Sequence, residues 1–333
     1  MTDPNTVLAN VLSNEVHAAV DYAIRFPQGA TLKRERVTRG GGEGGTIIAS
    51  PSLFWKTSFQ FRPDVVSPRS ILDVRVRRAL AHDFDKQGIN DTIMEGFSVI
   101  TDTVVSPRAD YHPAVERAIS KHPLRHPAHA ARARGGVGFT RGADGFYAGS
   151  DGAAFAPEFR VLADPSLESE NAILVDTFRR AGVAATSFII PAVQQSDGPI
   201  RSLFPSMASS GGSGGETDLR DFISASAATP DNRYAGRNRG AWSNPEYDRL
   251  WQSFNTTLDG PERIRQIVEL ERVLTDQLSI IPHYFTHPAL FHAAGHGARG
   301  VLEGADRARA AGRRARIIQY LAVGMDALTT RAG

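Results

Sequence analysis

Two periods of apolar and polar positions alternate along this chain, and each change of period marks an element. In VLANVLSNEVHAAVDY, Val7, Val11 and Leu12 fall on one side of a short helix that turns into a strand. Five glycines surround Glu43, and an apolar strand with Ile47 and Ile48 follows them. SLFWKTSFQFRP alternates as a half-buried strand does, and Pro63 and Pro68 close it. LDVRVRRALAHDFDKQGINDTIMEG predicts a helix capped by Asp73, with Val76, Ala79, Leu80 and Phe84 at helical spacing; Gly88 breaks it and Gly96 ends its second part. Residues 101–135 read as loop plus one short helix. GFTRGADGFYAGSDGAAF carries two turn signals around FYA and predicts a hairpin.

The second half is more regular. PEFRVLADP predicts a strand, LESENAILVDTFRRAGV a helix with Ala172, Val175 and Phe178 inward, and VAATSFIIP the next strand. Strand, helix, strand is an α/β unit whose strands run parallel through a right-handed crossover. Residues 209–215 are rich in Gly and Ser and read as a flexible connecting loop. Two helices follow it. In the first, Ser243 or Asn244 caps, Pro245 sits at the first position, and Tyr247, Leu250, Trp251, Phe254 and Leu258 form one stripe. The second starts at Pro261 and buries Ile264, Ile267, Val268, Leu274 and Leu278; IIPHYF then returns as a strand.

Composition narrows the class without naming it. The 333 residues suffice for two domains or one two-lobed fold, and 41% apolar with 22% charged residues is ordinary for a packed protein. A formal charge of +2 argues against a nucleic-acid partner. With no cysteine, disulfides, thiolate catalysis and Cys-type metal sites are excluded. No apolar run approaches the roughly 18 residues of a membrane span. MTDPNTVLANVLSNEVHAAVDY carries Asp3 and Glu15 and no basic start, so it does not read as a secretory signal.

Several segments, in order, are similar to one known family. VRRALAHDFDKQGI, HPAHAARARGGVGFTRGADGFY, EFRVLADPSLESENAILVDTFRRAGV and WSNPEYDRLWQSFNTTLDGPERIRQIVELERVLTDQLSIIPHYF resemble family 5 extracellular solute-binding proteins, the peptide/nickel-type components of ABC importers. The resemblance covers roughly residues 3–290. It implies an α/β fold of the type II periplasmic-binding-protein class, with lobe two and only part of lobe one present, as if the chain were amino-terminally truncated. It further implies partial lobe one with a hinge strand at 1–72, lobe two at 73–280, and a return to lobe one with an atypical basic tail at 281–333. The implied function is non-enzymatic capture of a peptide-like solute between lobes and its delivery to ABC permease subunits by a periplasmic monomer without cofactors. Two departures stand out. Where many peptide binders carry W..DY.DP, this chain reads DLRDFISASAATPDNRY, with Asp221–Phe222 as the nearest equivalent. The tail GADRARAAGRRARIIQYLAVGMDALTTRAG also lacks the family's last strand and helix.

Clamping a solute needs aromatic platforms and a few charged or amide groups. Trp55, Phe222, Tyr234, Trp242 and Tyr284 qualify by lying in loops or at strand ends; core packing is the competing role of each. Trp242, just outside the helix cap, leads them, while Tyr247 and Trp251 are assigned to core. Asp221, Arg237, Arg239 and Arg201 can pair with a zwitterion, the arginines bidentate to a carboxylate; a solvated surface charge is the commoner role. The expected ligand contacts are thus Trp242, Asp221, Phe222, Tyr234, Arg237, Trp55 and Tyr284.

The alternatives are an enzyme and a nonfunctional fragment. His283 with His287, and His292 with His296, repeat at metal-gripping spacing, but on a strand such pairs sit about 13 Å apart and share no ion. GGSGG satisfies the nucleophile-elbow pattern around Ser213, yet its flanks SMASS and ETDLRDF are not an apolar strand and a helix. A hydrolase using Ser213 or His283/His287 is therefore the runner-up. The arginines of 307–316 suit anionic lipid or nucleic acid, against the commoner reading of a disordered end. No catalytic residue and no metal ligand is expected.

Overall fold

Asp3 opens the first helix, Pro4–Leu12, by accepting from the amides of Asn5 and Thr6, both at 3.0 Å. The computed structural model describes residues 3–38, 46–49, 51, 53–122, 138–286 and 289–292. The chain divides into two units, residues 1–50 with 287–333 and residues 51–286. In the smaller, β1 (Ala18–Ile24) follows the first helix, and β2 (Thr46–Ala49) comes after the helix Phe26–Leu32. Val11, Ala19, Ile24, Leu32 and Phe291 make its core. Val7 packs against that core, whereas Leu12, expected beside it, is 40% exposed.

The larger unit is built on a six-stranded sheet. Its strands are β3 (Leu53–Phe59), β4 (Val99–Ile100), β7 (Glu158–Leu162), β8 (Thr186–Ile190), β9 (Met207–Gly212) and β10 (Ile280–Thr286), and β5 (Thr140–Arg141) with β6 (Tyr147–Ala148) forms the separate expected hairpin. The order is β4-β10-β3-β9-β7-β8. β7 runs parallel to both β8 and β9, as the strand–helix–strand pattern predicts, while β3 and β10 are antiparallel. The chain then returns to the smaller unit with β11 (Ala289–His292), which pairs with β1 and β2.

Side chains alternate across the sheet and meet a different layer on each face. Phe54, Ile280 and Phe285 join Tyr247, Phe254, Ile267, Leu270 and Leu274 from the helices Pro245–Thr256 and Gly260–Gln277 in one core. On the opposite face Phe159 meets Phe84 and Phe178, at ring distances of 6.3 and 5.8 Å. A strand sealed on both faces explains why β3 shows no clean half-buried alternation.

Five local expectations are corrected. The helix after Asp73 breaks at Phe84–Asp85, between Val74–Asp83 and Lys86–Ile93, not at Gly88. Gly88 instead offers its amide to the capping Asp85 at 2.8 Å. In the helix Pro165–Arg180 the buried side is Leu167, Glu170, Asn171, Leu174 and Phe178, and Ala172 faces out. Leu258 is exposed because the first of the paired helices already ends at Thr256, and Ile264 faces outward on the second. The Gly/Ser stretch is no loop: its first part, 209–212, belongs to β9 and pairs with β3 in the sheet. The division between units falls at 50/51 and 286/287, not at 72/73 and 280/281, because β3 and β10 pair with each other in the larger sheet.

Candidate functional site

The two faces of the large sheet treat polar groups in opposite ways. On the face of Phe159, a chain of polar side chains is sealed in. The Thr57 hydroxyl lies 2.8 Å from His283 Nε2, His283 Nδ1 lies 2.8 Å from Glu170 Oε1, and the Tyr284 hydroxyl donates to Glu170 Oε2 at 2.5 Å. Thr57 and His283 are wholly buried, and Glu170 is 2% exposed. Burial holds the imidazole below its usual pKa, against the opposing pull of Glu170, so it is neutral at pH 7. Burial also pushes the Tyr284 phenol far up.

Hydroxyl, imidazole and carboxylate in a row resemble a hydrolytic triad, but nothing can reach them. Ser213 has no imidazole either: its hydroxyl donates to Asp218 at 2.9 Å, and Asp218 also accepts from the Gly215 amide at 3.1 Å. The enzyme alternative built on Ser213 or His283 therefore loses its geometry. His287, His296 and the arginine-rich tail lie outside the described residues. Among the described residues, no group of three or more His, Asp or Glu side chains could hold a metal ion.

The opposite face is packed under the paired helices around Phe54 and Ile280, and it is charged and open only toward β7 and β8, where Phe188 is exposed. Register sets Ser58, Ala208, Arg160 and Phe188 side by side across β3, β9, β7 and β8, with Lys56 beside Ser210 one step on. β9 presents Ala208 and Ser210 here, so the floor is bare of bulk. The result is a pocket over the carboxyl ends of β7 and β8, walled by Leu162, Ile190 and Phe204 and flanked by Arg160, Arg201 and Arg239. Open α/β sheets bind ligands at such strand ends.

Local geometry holds the loops above this floor. Gly240 is required there, since a Cβ would come within 2.0 Å of the Phe59 carbonyl. Arg62 Nη1 donates to the carbonyls of Ser202 at 2.9 Å and Arg239 at 2.7 Å, tying together the two segments that carry Arg201 and Arg239. Asn238 donates to the Trp242 carbonyl at 2.7 Å and accepts its amide at 3.1 Å, closing the turn into the next helix. Arg233 and Tyr234 are both left-handed, with φ of 52° and 56°, a strained pair that only a fixed loop sustains.

The expected contacts separate into three groups. Trp242 is core, not cleft: it is 5% exposed and meets Tyr247 edge-on, ring centroids 5.3 Å apart. The reason is the turn at Asn238, which folds the indole back under the helix it precedes. Phe222 and Tyr284 are core as well, 4% and 1% exposed. Trp55, partly buried, lies on the face opposite Lys56. Asp221, Arg237 and Tyr234 are not among the residues lining the pocket; Asp221 is 5% exposed and accepts from Arg237 Nε at 2.7 Å. Tyr247, assigned to core, is there, its hydroxyl donating to the Leu219 carbonyl at 2.7 Å.

Sequence reasoning passes over Lys56 and Arg160, and offers Arg201 and Arg239 as carboxylate partners beside the commoner role of surface charge. Lys56 sits 4.7 Å from the centre of the Phe54 ring and 5.7 Å from that of Phe222, and burial lowers its ammonium pKa to about 8 despite Asp218 and Asp221. The one available signal was MASSGG: small residues between two apolar strands make the floor of a hollow.

No protein-family model and no curated protein matches this sequence. Solved structures do match its fold, which is α/β of the type II periplasmic-binding-protein class. NikZ from Campylobacter jejuni, solved with Ni(L-His), superposes with a TM-score of 0.68 at 20% identity, over 87% of this chain and 55% of that one. An oligopeptide-binding protein from Thermus thermophilus, solved with a pentapeptide, gives 0.71 at 18% identity, over 89% and 51%. NikA from Brucella suis, solved with Fe(III)-EDTA, gives 0.66 at 18%, over 88% and 56%. The chain thus spans about half the length of the structures it matches. At these identities the likeness establishes the fold.

Proposed function

We propose that this chain is one lobe and part of the second of a solute-binding component of an ABC importer, acting outside the cytoplasm and handing its solute to a permease. The observation that carries the reading is the fold match over 87–89% of the chain to proteins solved with a peptide or a metal chelate. The segment resemblance supports it independently, and so does a pocket at the ends of parallel strands. No helix among the described residues is long and apolar enough to cross a membrane.

The mechanism on this reading is capture rather than chemistry. A solute that binds the closed form better shifts the population toward it, and the closed form is what a permease meets. This chain contributes the pocket at the ends of β7 and β8, with Asp221, Arg237 and Tyr234 as candidate contacts beyond its lining. Residues 1–50 with 287–333 are the part of lobe one, and 51–286 are lobe two. The solute class is peptide-like, and the component acts as a monomer.

Thermal unfolding with and without a mixed pool of di- to pentapeptides tests the proposal. A cooperative melt that moves upward with the pool is expected, since a ligand that binds only the native state stabilises it by mass action. A cooperative melt unmoved by the pool and by nickel–histidine chelates would overturn it.

A further inference from the structure

The charges around the pocket do not balance. Arg160 is neutralised by Glu158, with Nε and Nη2 at 2.8 and 2.7 Å from Oε1, and stacks on Phe188 at 4.5 Å. Arg237 is neutralised by Asp221. Among the described residues the guanidinium groups of Arg201 and Arg239 have no ion pair and no hydrogen bond, although both side chains are half-buried. Burial is the first cause that lowers both pKa values; the second is Arg201 for Arg239, brought to about 10, and Arg237 for Arg201. Because Arg201 and Arg239 line one pocket, two like charges are held close together, partly dry, on loops that Arg62 clamps in place.

Such an arrangement costs folding free energy, which a role other than packing accounts for. The pocket supplies the complement: Ser58 and Ser210 line its floor as hydroxyl donors, and Leu162, Ile190 and Phe204 wall it with apolar surface. We infer that Arg201 and Arg239 form an anion site that takes an organic carboxylate on a short apolar stem. The inference rests on the solute-binding reading for its purpose, while its chemistry stands on the pocket alone. Fork-shaped guanidinium donors match a carboxylate with two N–H bonds each, and loops already fixed spare the ligand the cost of ordering them.

The test is calorimetric titration of the full chain at low salt with butyrate, succinate, neutral butyramide and inorganic phosphate. Saturable binding of butyrate and succinate is expected, with none for butyramide. Arg201→Gln and Arg239→Gln should each weaken it about tenfold, or ~1.4 kcal/mol. Neither variant should lower the melting temperature of the ligand-free chain, because no bond is lost and repulsion is relieved; a purely structural arginine would show the reverse. Should a Gln variant fail to fold, Arg201→Lys and Arg239→Lys keep the charge but lose the fork, and the same weakening is expected. Equal affinity in the variants, equal binding of butyramide, phosphate bound in place of both carboxylates, or no anion bound at all would each overturn the inference. Peptides bound with unchanged affinity by Arg239→Gln would sink it while leaving the solute-binding reading intact; butyrate bound without any response to the tested solutes would do the opposite.

Discussion

The sealed face and the partly open face of one sheet both carry polar side chains, with opposite consequences. Around His283 the hydroxyl, imidazole, carboxylate and phenol meet one another in the dry interior, so the group specifies packing. Around Arg239, Arg201 and Arg239 itself are only half-buried and, among the described residues, their guanidinium groups make no ion pair or hydrogen bond. Chemically evocative residues are thus a poor guide to a site. The arrangement that resembles a triad is sealed in the core, while the pocket lies where two guanidinium groups stay half-buried at the ends of strands.

That contrast can be broken by substitution. The largest effect should come from Trp242→Ala, which empties core beside Tyr247 and should cost about 4 kcal/mol in denaturant titration. If it instead left stability intact and abolished binding, Trp242 would belong to the site after all. Glu170→Ala leaves the buried imidazole of His283 and hydroxyl of Tyr284 unpaired on the sealed face; a loss of about 3 kcal/mol is expected, without change in anion affinity.

Glu271 sharpens the comparison through pH. It lies in the core of the helix Gly260–Gln277, and burial raises its carboxyl from 4.5 to about 7. The folded state therefore holds a proton that the unfolded state releases, so stability falls as pH climbs from about 4.5 through 7 and then levels. The span is on the order of 3 kcal/mol, and it should vanish in Glu271→Gln when melts are compared across pH 4–8. Lys56 is the smaller case. Its pKa is depressed, so its penalty is full below about 8 and relaxes as pH rises toward 10.5. Lys56→Met should stabilise the chain at pH 7 by on the order of 2 kcal/mol, less whatever packing the stem loses. A destabilised Lys56→Met variant would mean the amine has a partner that matters.

Much of the fold was legible because period and caps are local properties. The helices at 74–83, 165–180, 245–256 and 260–277, and the parallel pair β7 and β8, follow from spacing, Asp or Asn caps and an early proline. β9 was not, because MASSGG has the composition of a loop and becomes a strand only through neighbours on both sides. The site was legible in charge but not in contact. Arg201, Arg237, Arg239 and Asp221 stand out in sequence, yet only register and loop geometry show that Asp221 cancels Arg237 and leaves the other two. Trp242 misled because a position just before a cap reads as exposed, whereas the Asn238 turn buries it.

Hydrogen exchange, followed with and without a saturating solute from the peptide pool, tests most directly the claim that the open face is the binding face. Slowed exchange at 198–202, 207–212 and 237–241, with 165–180 and 280–284 unchanged, is the predicted result. Protection confined to the His283 and Glu170 segments, with none at β9 or the arginine loops, would contradict the account.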